Sequence, residues 1–385
     1  MKILIIHDRF QFRGGAERLI LILAKALNAD LMTEFWEPDS FDIPRWLQCR
    51  DAIHRVSGDA INGASTKQKL FILDKGEHPQ IVLRYFRAQF NFLFKTKKII
   101  QNYDTILFSG NNCLTASFNC KRGTRKILYC HSPVRHVYDL KEKCRNEQTS
   151  AWKKFFYYNL GSYLIRFIYG TGIRRMHQII ANSHNIKNRL KNFVKINTNH
   201  VIYPPIDIDK FVWLGQKDYY LSFGRVERLK RIPDIVSAFQ KMPDKKLIVV
   251  SGGPDLEKIK DMAKNYNNIQ VIGWVSDSEL KEYIGNCIAT IYIPIDEDFG
   301  MTPLESNAAG KPCIGVNEGG LKETILNEKT GKLIPANYTT SDLIDAVNWM
   351  TPERASNMRN DCESQASKFS AQKFVKQIKS VIHEK

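Results

Sequence analysis

One local theme recurs along the chain: short apolar runs ending at a small or polar residue, alternating with segments of helical period. Lys2–Ile6 passes through Gly14-Gly15-Ala16-Glu17 into Leu19, Ile20, Leu23, Ala24 and Leu27, an i, i+3/i+4 face. The opening thus reads strand, glycine loop, helix. Thr105–Phe108, Lys126–Cys130 and Gln178–Ala181 are further strand candidates. The theme breaks at Val201–Pro205 (VIYPP), where two prolines can continue neither a ladder nor a helix. It resumes with Tyr219–Phe223, Leu247–Val250, Ile269–Ile272, Ile288–Ile293 and Pro312–Val316. Alternation of this kind calls for parallel sheets covered by helices on both faces, and 385 residues exceed one ordinary core. The expected fold is α/β, with two doubly wound domains at 1–205 and 206–365 and a closing amphipathic segment at 366–385.

Charge separates the two halves. Residues 1–205 hold 33 Lys/Arg against 15 Asp/Glu, whereas 206–385 hold 24 against 25, so the whole excess of the +17 chain lies in the first half. That asymmetry points to an anionic partner for one domain: phospholipid, a lipid pyrophosphate or nucleic acid. Within the basic half, Ile81–Ile100 interleaves Tyr85, Phe86, Phe90, Phe92 and Phe94 with Arg84, Arg87, Lys95, Lys97 and Lys98, and Trp152–Arg175 repeats the mixture. Such stretches suit either interfacial helices on anionic lipid or core helices with a charged outer face. Against nucleic acid, no RNP, KH or zinc signature occurs. No run of 18 apolar residues is present, and the start MKILIIHDRF lacks a cleavage-site pattern, so the expected place is the cytoplasm, peripheral to the inner membrane face. Eight cysteines without CxxC spacing read as free thiols.

The richest stretch is 287–320, CIATIYIPIDEDFGMTPLESNAAGKPCIGVNEGG. An apolar strand runs to Pro294, a turn follows at Asp296–Gly300, and Glu297 falls at the carboxyl end of the strand, where open α/β sheets bind ligands. Thr302, Pro303 and Glu305 read as a helix start. Two readings stand. Thr-x-x-Glu is a plain capping box, or else the backbone amides of Phe299, Gly300 and Met301 face an anionic or hydroxylated ligand.

This run resembles the Glu-x7-Glu signature of family 4 retaining glycosyltransferases, matched at Glu297, Phe299, Gly300, Pro303, Leu304, Glu305, Ala309, Gly310, Pro312, Gly319-Gly320 and Glu323. The resemblance implies the GT-B fold, two Rossmann-like domains facing across a cleft. It gives Glu297 the donor sugar, Phe299–Thr302 its hydroxyls through backbone amides, and Glu305 the nucleotide ribose. Gly224-Arg225 and Lys230 are similar to the family's Gly-Arg…Lys element, which implies that Arg225 and Lys230 hold the diphosphate and its growing charge without a metal. Arg228 and Arg231 are the neighbouring alternatives. Gly14 and Gly15 match the family's glycine pair in the first domain, with Glu17 expected to cap the helix.

His131 occurs where the family places a donor-sugar histidine. The wider pattern His131-Ser132-Pro133-x-Arg135-x-x-x-Asp139 resembles the GDP-mannose-dependent mannosyltransferases of bacterial O-antigen and related polysaccharides, which implies Arg135 and Asp139 near sugar or acceptor. One departure is Gly170–Gln178, which carries Arg174, Arg175 and His177 where many relatives are acidic. Asp207-Ile208-Asp209 follows the Pro-Pro linker and is not read as a metal site. The resulting expectation is retaining transfer of a hexose, mannose from GDP-mannose, to a lipid-linked glycan. It needs no cofactor, and the departing phosphate takes the acceptor proton. A UDP-sugar donor is the alternative within the class, and a basic nucleic-acid-binding protein is the alternative outside it.

Overall fold

The computed structural model describes residues 1–11, 14–37, 39–47, 53–55, 68–74, 81–148 and 150–384. The chain forms two units, Met1–Ile202 with Val375–Lys385, and Tyr203–Phe374. The division falls at Ile202, three residues before Pro205, and Val375–Lys385 of the closing amphipathic segment belongs with the first unit.

In the first unit, strands β1 (Ile3–Phe10), β2 (Asp30–Trp36), β3 (Ile53–Arg55), β4 (Leu70–Ile72), β5 (Thr105–Ser109), β6 (Arg125–Cys130), β7 (Gln178–Ala181) and β8 (His200–Val201) form one sheet in the order β3-β4-β2-β1-β5-β6-β7-β8. Every pairing is parallel. Leu4, Ile5 and Ile6 are fully buried, as expected of a central strand covered on both faces. The second unit has β9 (Tyr220–Ser222), β10 (Leu247–Val250), β11 (Ile269–Gly273), β12 (Thr290–Tyr292), β13 (Cys313–Val316) and β14 (Gly331–Ile334) in the order β11-β10-β9-β12-β13-β14, again all parallel.

The segment 81–100 is not one helix. It divides into Ile81–Phe94 and a short turn Lys97–Ile100, because Thr96 Oγ1 bonds the Phe92 carbonyl (2.7 Å) and Asn119 Nδ2 takes the Leu93 carbonyl (2.6 Å). Trp152–Arg175 likewise contains a widened i to i+5 stretch, Lys154–Gly161, before the regular helix Ser162–Ile173. The last helix, Ala371–His383, is tied into the first unit by Arg125, which donates to the Val381 carbonyl (2.9 Å), and by Gln178, which donates to Glu384 (2.9 Å).

Candidate active site

A doubly wound sheet offers a ligand crevice outside the carboxyl ends of the strands where strand order reverses. In the second unit that point lies between β9 and β12. The loop leaving β9 carries Gly224, Arg225 and, in a tight turn Arg228–Lys230, Lys230. The loop leaving β12 carries Glu297, and Ile295 N donates to the Leu229 carbonyl (2.8 Å), joining the two loops. Their side chains meet. Lys230 Nζ donates to Glu297 Oε2 at 2.7 Å and to the Tyr292 hydroxyl at 2.8 Å. Burial alone opposes the ammonium, but the Tyr292 and Glu297 oxygens outweigh it and hold the Lys230 pKa above its ordinary value. Burial and then Glu297 push the Tyr292 hydroxyl up in turn, so a neutral phenol braces an ion pair. Tyr292 was not legible as a site residue, since it sits inside an apolar strand run; Gly224 leaves the space its ring occupies, a Cβ there lying 2.9 Å from the ring.

The Glu297 loop is fixed from behind. Gly320 N donates to the Glu297 carbonyl (2.7 Å), and Gly319 adopts φ +57°. A Cβ at Gly319 would lie 2.6 Å from the Glu297 amide nitrogen, and one at Gly320 2.4 Å from Phe299 Cα. The Gly-Gly pair is therefore required by close backbone approach. Glu318 accepts from the Asp296 amide (3.2 Å) and is ion-paired with Arg231 (2.9 Å), and the Arg231 guanidinium also lies over the Tyr338 ring. Arg231 thus braces the loop rather than standing ready for phosphate.

The next helix runs Met301–Ala308 with Gly300 as its N-cap, φ +94°, and no side-chain cap bond. Thr302 is inside the helix and Gly300 has no side chain, so Thr302 is not the N-cap and no Thr302–Glu305 capping box forms. The first amides, Met301 and Thr302, have no intrahelical acceptor, and Pro303 has no N–H to offer. Phe299 contributes backbone alone, since its ring is buried against Tyr203 (5.3 Å between centroids) and Phe369 (5.7 Å). Arg225 differs from Lys230. Its side chain is half exposed, and its Nε lies 3.6 Å from Glu227.

In the first unit the reversal lies between β1 and β5. His131 follows β6, and its Nε2 lies 2.8 Å from Ser109 Oγ, which in turn lies 3.1 Å from His7 Nδ1. Burial, reinforced by His7, lowers the His131 pKa to about 3, so this imidazole is neutral at physiological pH. The His7–Ser109 support was missed from sequence, because the two residues are 102 positions apart. Asp8 fixes the adjacent loop by accepting from the amides of Asn111 (2.8 Å), Asn112 (3.0 Å) and Cys113 (2.7 Å). Gly14 is the N-cap of Gly15–Leu27 through its backbone, and the Glu17 carboxylate folds over it where a Cβ would stand 2.3 Å from Oε2. Burial raises the Glu17 pKa, with His7 opposing.

Arg135 and Asp139 pair with each other at 2.9 Å, and the buried Arg189 approaches Asp139 at 3.8 Å while donating to Ser132 (3.3 Å). This cluster braces the loop after His131, so both residues are already engaged in the fold. Another pair absent from the sequence reading is Arg9–Glu34 (2.8 Å). Burial pushes the Glu34 carboxyl up to about 7 against the pull of Arg9. Asp209 lies in the turn Ile208–Lys210, preceded by Asp207. Among the described residues no group of three His, Cys, Asp or Glu side chains is placed to hold an ion.

Comparison with known proteins decides the family. The profile described as Glycosyltransferase Family 4 matches residues 13–210, and that of Glycosyl transferases group 1 matches 205–369. The chain belongs to glycosyltransferase family 4. It is similar to the alpha-1,3/1,6-mannosyltransferase ALG2 of Dictyostelium discoideum, 26% identical over 73% of this chain and 76% of that one. The mouse ALG2 is 25% identical over 83% and 81%. The N-acetyl-alpha-D-glucosaminyl L-malate synthase of Bacillus anthracis is 28% identical over 57% and 62%. Among solved structures, sucrose-phosphate synthase of Thermosynechococcus elongatus superposes with TM-score 0.76 at 16% identity, covering 99% and 98%. The lipopolysaccharide outer core galactosyltransferase WaaB follows at 0.68 and 17%, covering 99% of both chains. The fold of this family 4 glycosyltransferase is GT-B, two Rossmann-like parallel-sheet units.

Proposed function

We propose that this glycosyltransferase moves mannose from GDP-mannose, with retention, onto a lipid-linked glycan at the cytoplasmic membrane face, in assembly of a polysaccharide of the O-antigen type. The observation that carries the reading is the Lys230–Glu297–Tyr292 constellation at the switch point of the second sheet, beside a helix whose first amides lack intrahelical acceptors. The chemistry follows from those groups. An ammonium has three donors, and Lys230 commits two. The third serves a phosphate oxygen, Arg225 adds a second cation from the rim, and both stabilise charge growing on the departing diphosphate. Glu297 accepts from hydroxyls of the transferred sugar, the amides of Met301 and Thr302 donate to them, and Glu305 holds the ribose.

His131, kept neutral, donates or accepts one hydrogen bond to the sugar without adding charge, with Gly14-Gly15 serving the same ligand. Arg135 and Asp139 act near the acceptor by shaping the His131 loop. The leaving phosphate takes the acceptor hydroxyl proton on the face it vacates, so no carboxylate attacks carbon. Mannose as the sugar is supported by the ALG2 relatives, whose names specify mannosyl transfer. The test is release of free nucleotide on adding a lipid-linked glycan. GDP released from GDP-mannose supports the reading. UDP released only from a UDP-sugar moves it to the alternative donor, and stable binding of nucleic acid without sugar turnover removes it.

A further inference from the structure

Three side chains at the carboxyl edge of the first sheet, His7, Ser109 and His131, meet around a single hydroxyl proton. His7 and Ser109 are register partners on β1 and β5, and Ser109 is in register with Tyr129 on β6, two residues before His131. Positions two apart along a strand share a face, which is how residues so distant in sequence line up across adjacent strands. Ser109 Oγ stands between the two rings, 3.1 Å from His7 Nδ1 and 2.8 Å from His131 Nε2. Ser109 is fully buried and His7 nearly so. The nearby Tyr129 hydroxyl spends its own proton on the Ile202 carbonyl (2.9 Å).

A serine hydroxyl has one proton to donate and lone pairs with which to accept. Ser109 therefore donates to one imidazole and accepts from the other. His131 is uncharged near neutrality, since burial lowers its pKa to about 3. Its single N–H lies on Nδ1 or on Nε2, and the bond made at Nε2 decides which. His7 offers an N–H at Nδ1 both as the charged ring and as one neutral tautomer, and accepts there in only one of its three forms. The lengths point the same way, because a hydroxyl donates over shorter distances than a ring N–H and the shorter contact is the one to His131.

We propose that His7 and Ser109 are positioning residues that hold His131 in its Nδ1–H tautomer, so that the ring meets the transferred sugar as a hydrogen-bond donor. His7 donates to Ser109, Ser109 donates to His131 Nε2, and the Nδ1–H of His131 is left over. Among the described residues the His131 ring has no other hydrogen bond, so that N–H is available to a sugar oxygen. The inference rests on the sugar-transfer reading for its ligand. The tautomer is a property of the free protein, so the two fail separately.

The test is a long-range proton–nitrogen correlation spectrum of the full chain labelled with nitrogen-15 histidine, at neutral pH, with the His131 signals identified by their loss in His131→Gln. The coupling pattern separates an Nδ1–H ring from an Nε2–H ring. Expected is Nδ1–H alone for His131 in the wild type, both tautomers in Ser109→Ala and in His7→Phe, and return to Nδ1–H in Ser109→Thr. Turnover should fall about tenfold in Ser109→Ala, the scale of one neutral hydrogen bond, at unchanged nucleotide affinity, and recover in Ser109→Thr. The wild-type spectrum decides the tautomer even where a variant does not fold. An Nε2–H ring or a mixture in the wild type would overturn the proposal. So would a tautomer that Ser109→Ala and His7→Phe leave unmoved, or one that shifts with no change in turnover.

Discussion

The two sheets place their ligand edges in the same way and furnish them in opposite ways. At the reversal between β9 and β12 the second unit assembles charge: an ammonium and a carboxylate 2.7 Å apart, a neutral phenol and an uncapped helix start. At the reversal between β1 and β5 the first unit assembles a hydrogen-bonded chain, His7–Ser109–His131, in which burial keeps the His131 imidazole uncharged near neutrality. One topology thus supplies a place, and local burial and pairing decide whether an ion pair or an uncharged imidazole stands there.

The largest expected effect breaks the charged edge. Glu297→Ala should nearly abolish turnover while nucleotide affinity is largely kept, read by product formation and by nucleotide titration of the same variant. Lys230→Ala should cost about two to three orders of magnitude in turnover, the usual loss on removing a group that stabilises transition-state charge. Arg225→Ala, at a half-exposed rim position, should cost less than Lys230→Ala. Equal losses would place both cations on the phosphates alike. Tyr292→Phe should fall roughly tenfold, because only one hydrogen bond to a charged group is lost.

Smaller effects sharpen the contrast. Glu305→Ala should weaken nucleotide binding, read by nucleotide titration beside a melting curve of the same variant; a lower melting temperature with unchanged affinity would assign Glu305 to the helix instead. Gly320→Ala should cost about 1–3 kcal/mol of stability through overpacking against the Phe299 backbone, measured by denaturant titration. For His131 the sign is set by burial. The unfolded chain takes its proton near 6.5 and the folded chain only near 3, so the unfolded state holds more protons in between. This residue should erode stability as pH falls from 6.5 toward 3, and His131→Gln should flatten that slope. A titrating His131 ring in NMR spectra between pH 5 and 8 would contradict the neutral edge.

Much of this was legible in the residues. Parallel strands announce themselves as continuous apolar runs, and Gln178–Ala181 and Leu247–Val250 have the bounds the sequence suggests. The strand Asp30–Trp36 was not legible, because Asp30 and Glu34 interrupt its apolar pattern, and only the fold reveals that Arg9 and Tyr103 satisfy them. Glu297, Lys230 and His131 carry a readable pattern. Tyr292, His7 and Ser109 do not, since a side chain that positions another across a sheet leaves no local spacing to detect. The helix start at Met301 was misplaced by two residues because Thr302 looks like a cap and Gly300, which takes the left-handed conformation, looks like a turn.

The proposed role of Lys230, holding a nucleotide diphosphate on the second unit without a metal, is open to direct measurement. The direct measurement is the melting temperature of the wild type and of Lys230→Ala in EDTA, with and without GDP. The account predicts that GDP at 100 times its dissociation constant stabilises the wild type by about 2.7 kcal/mol in EDTA, and that most of this shift is lost in Lys230→Ala. A shift that appears only with added Mg²⁺ or Mn²⁺, or one that Lys230→Ala leaves intact, would contradict it.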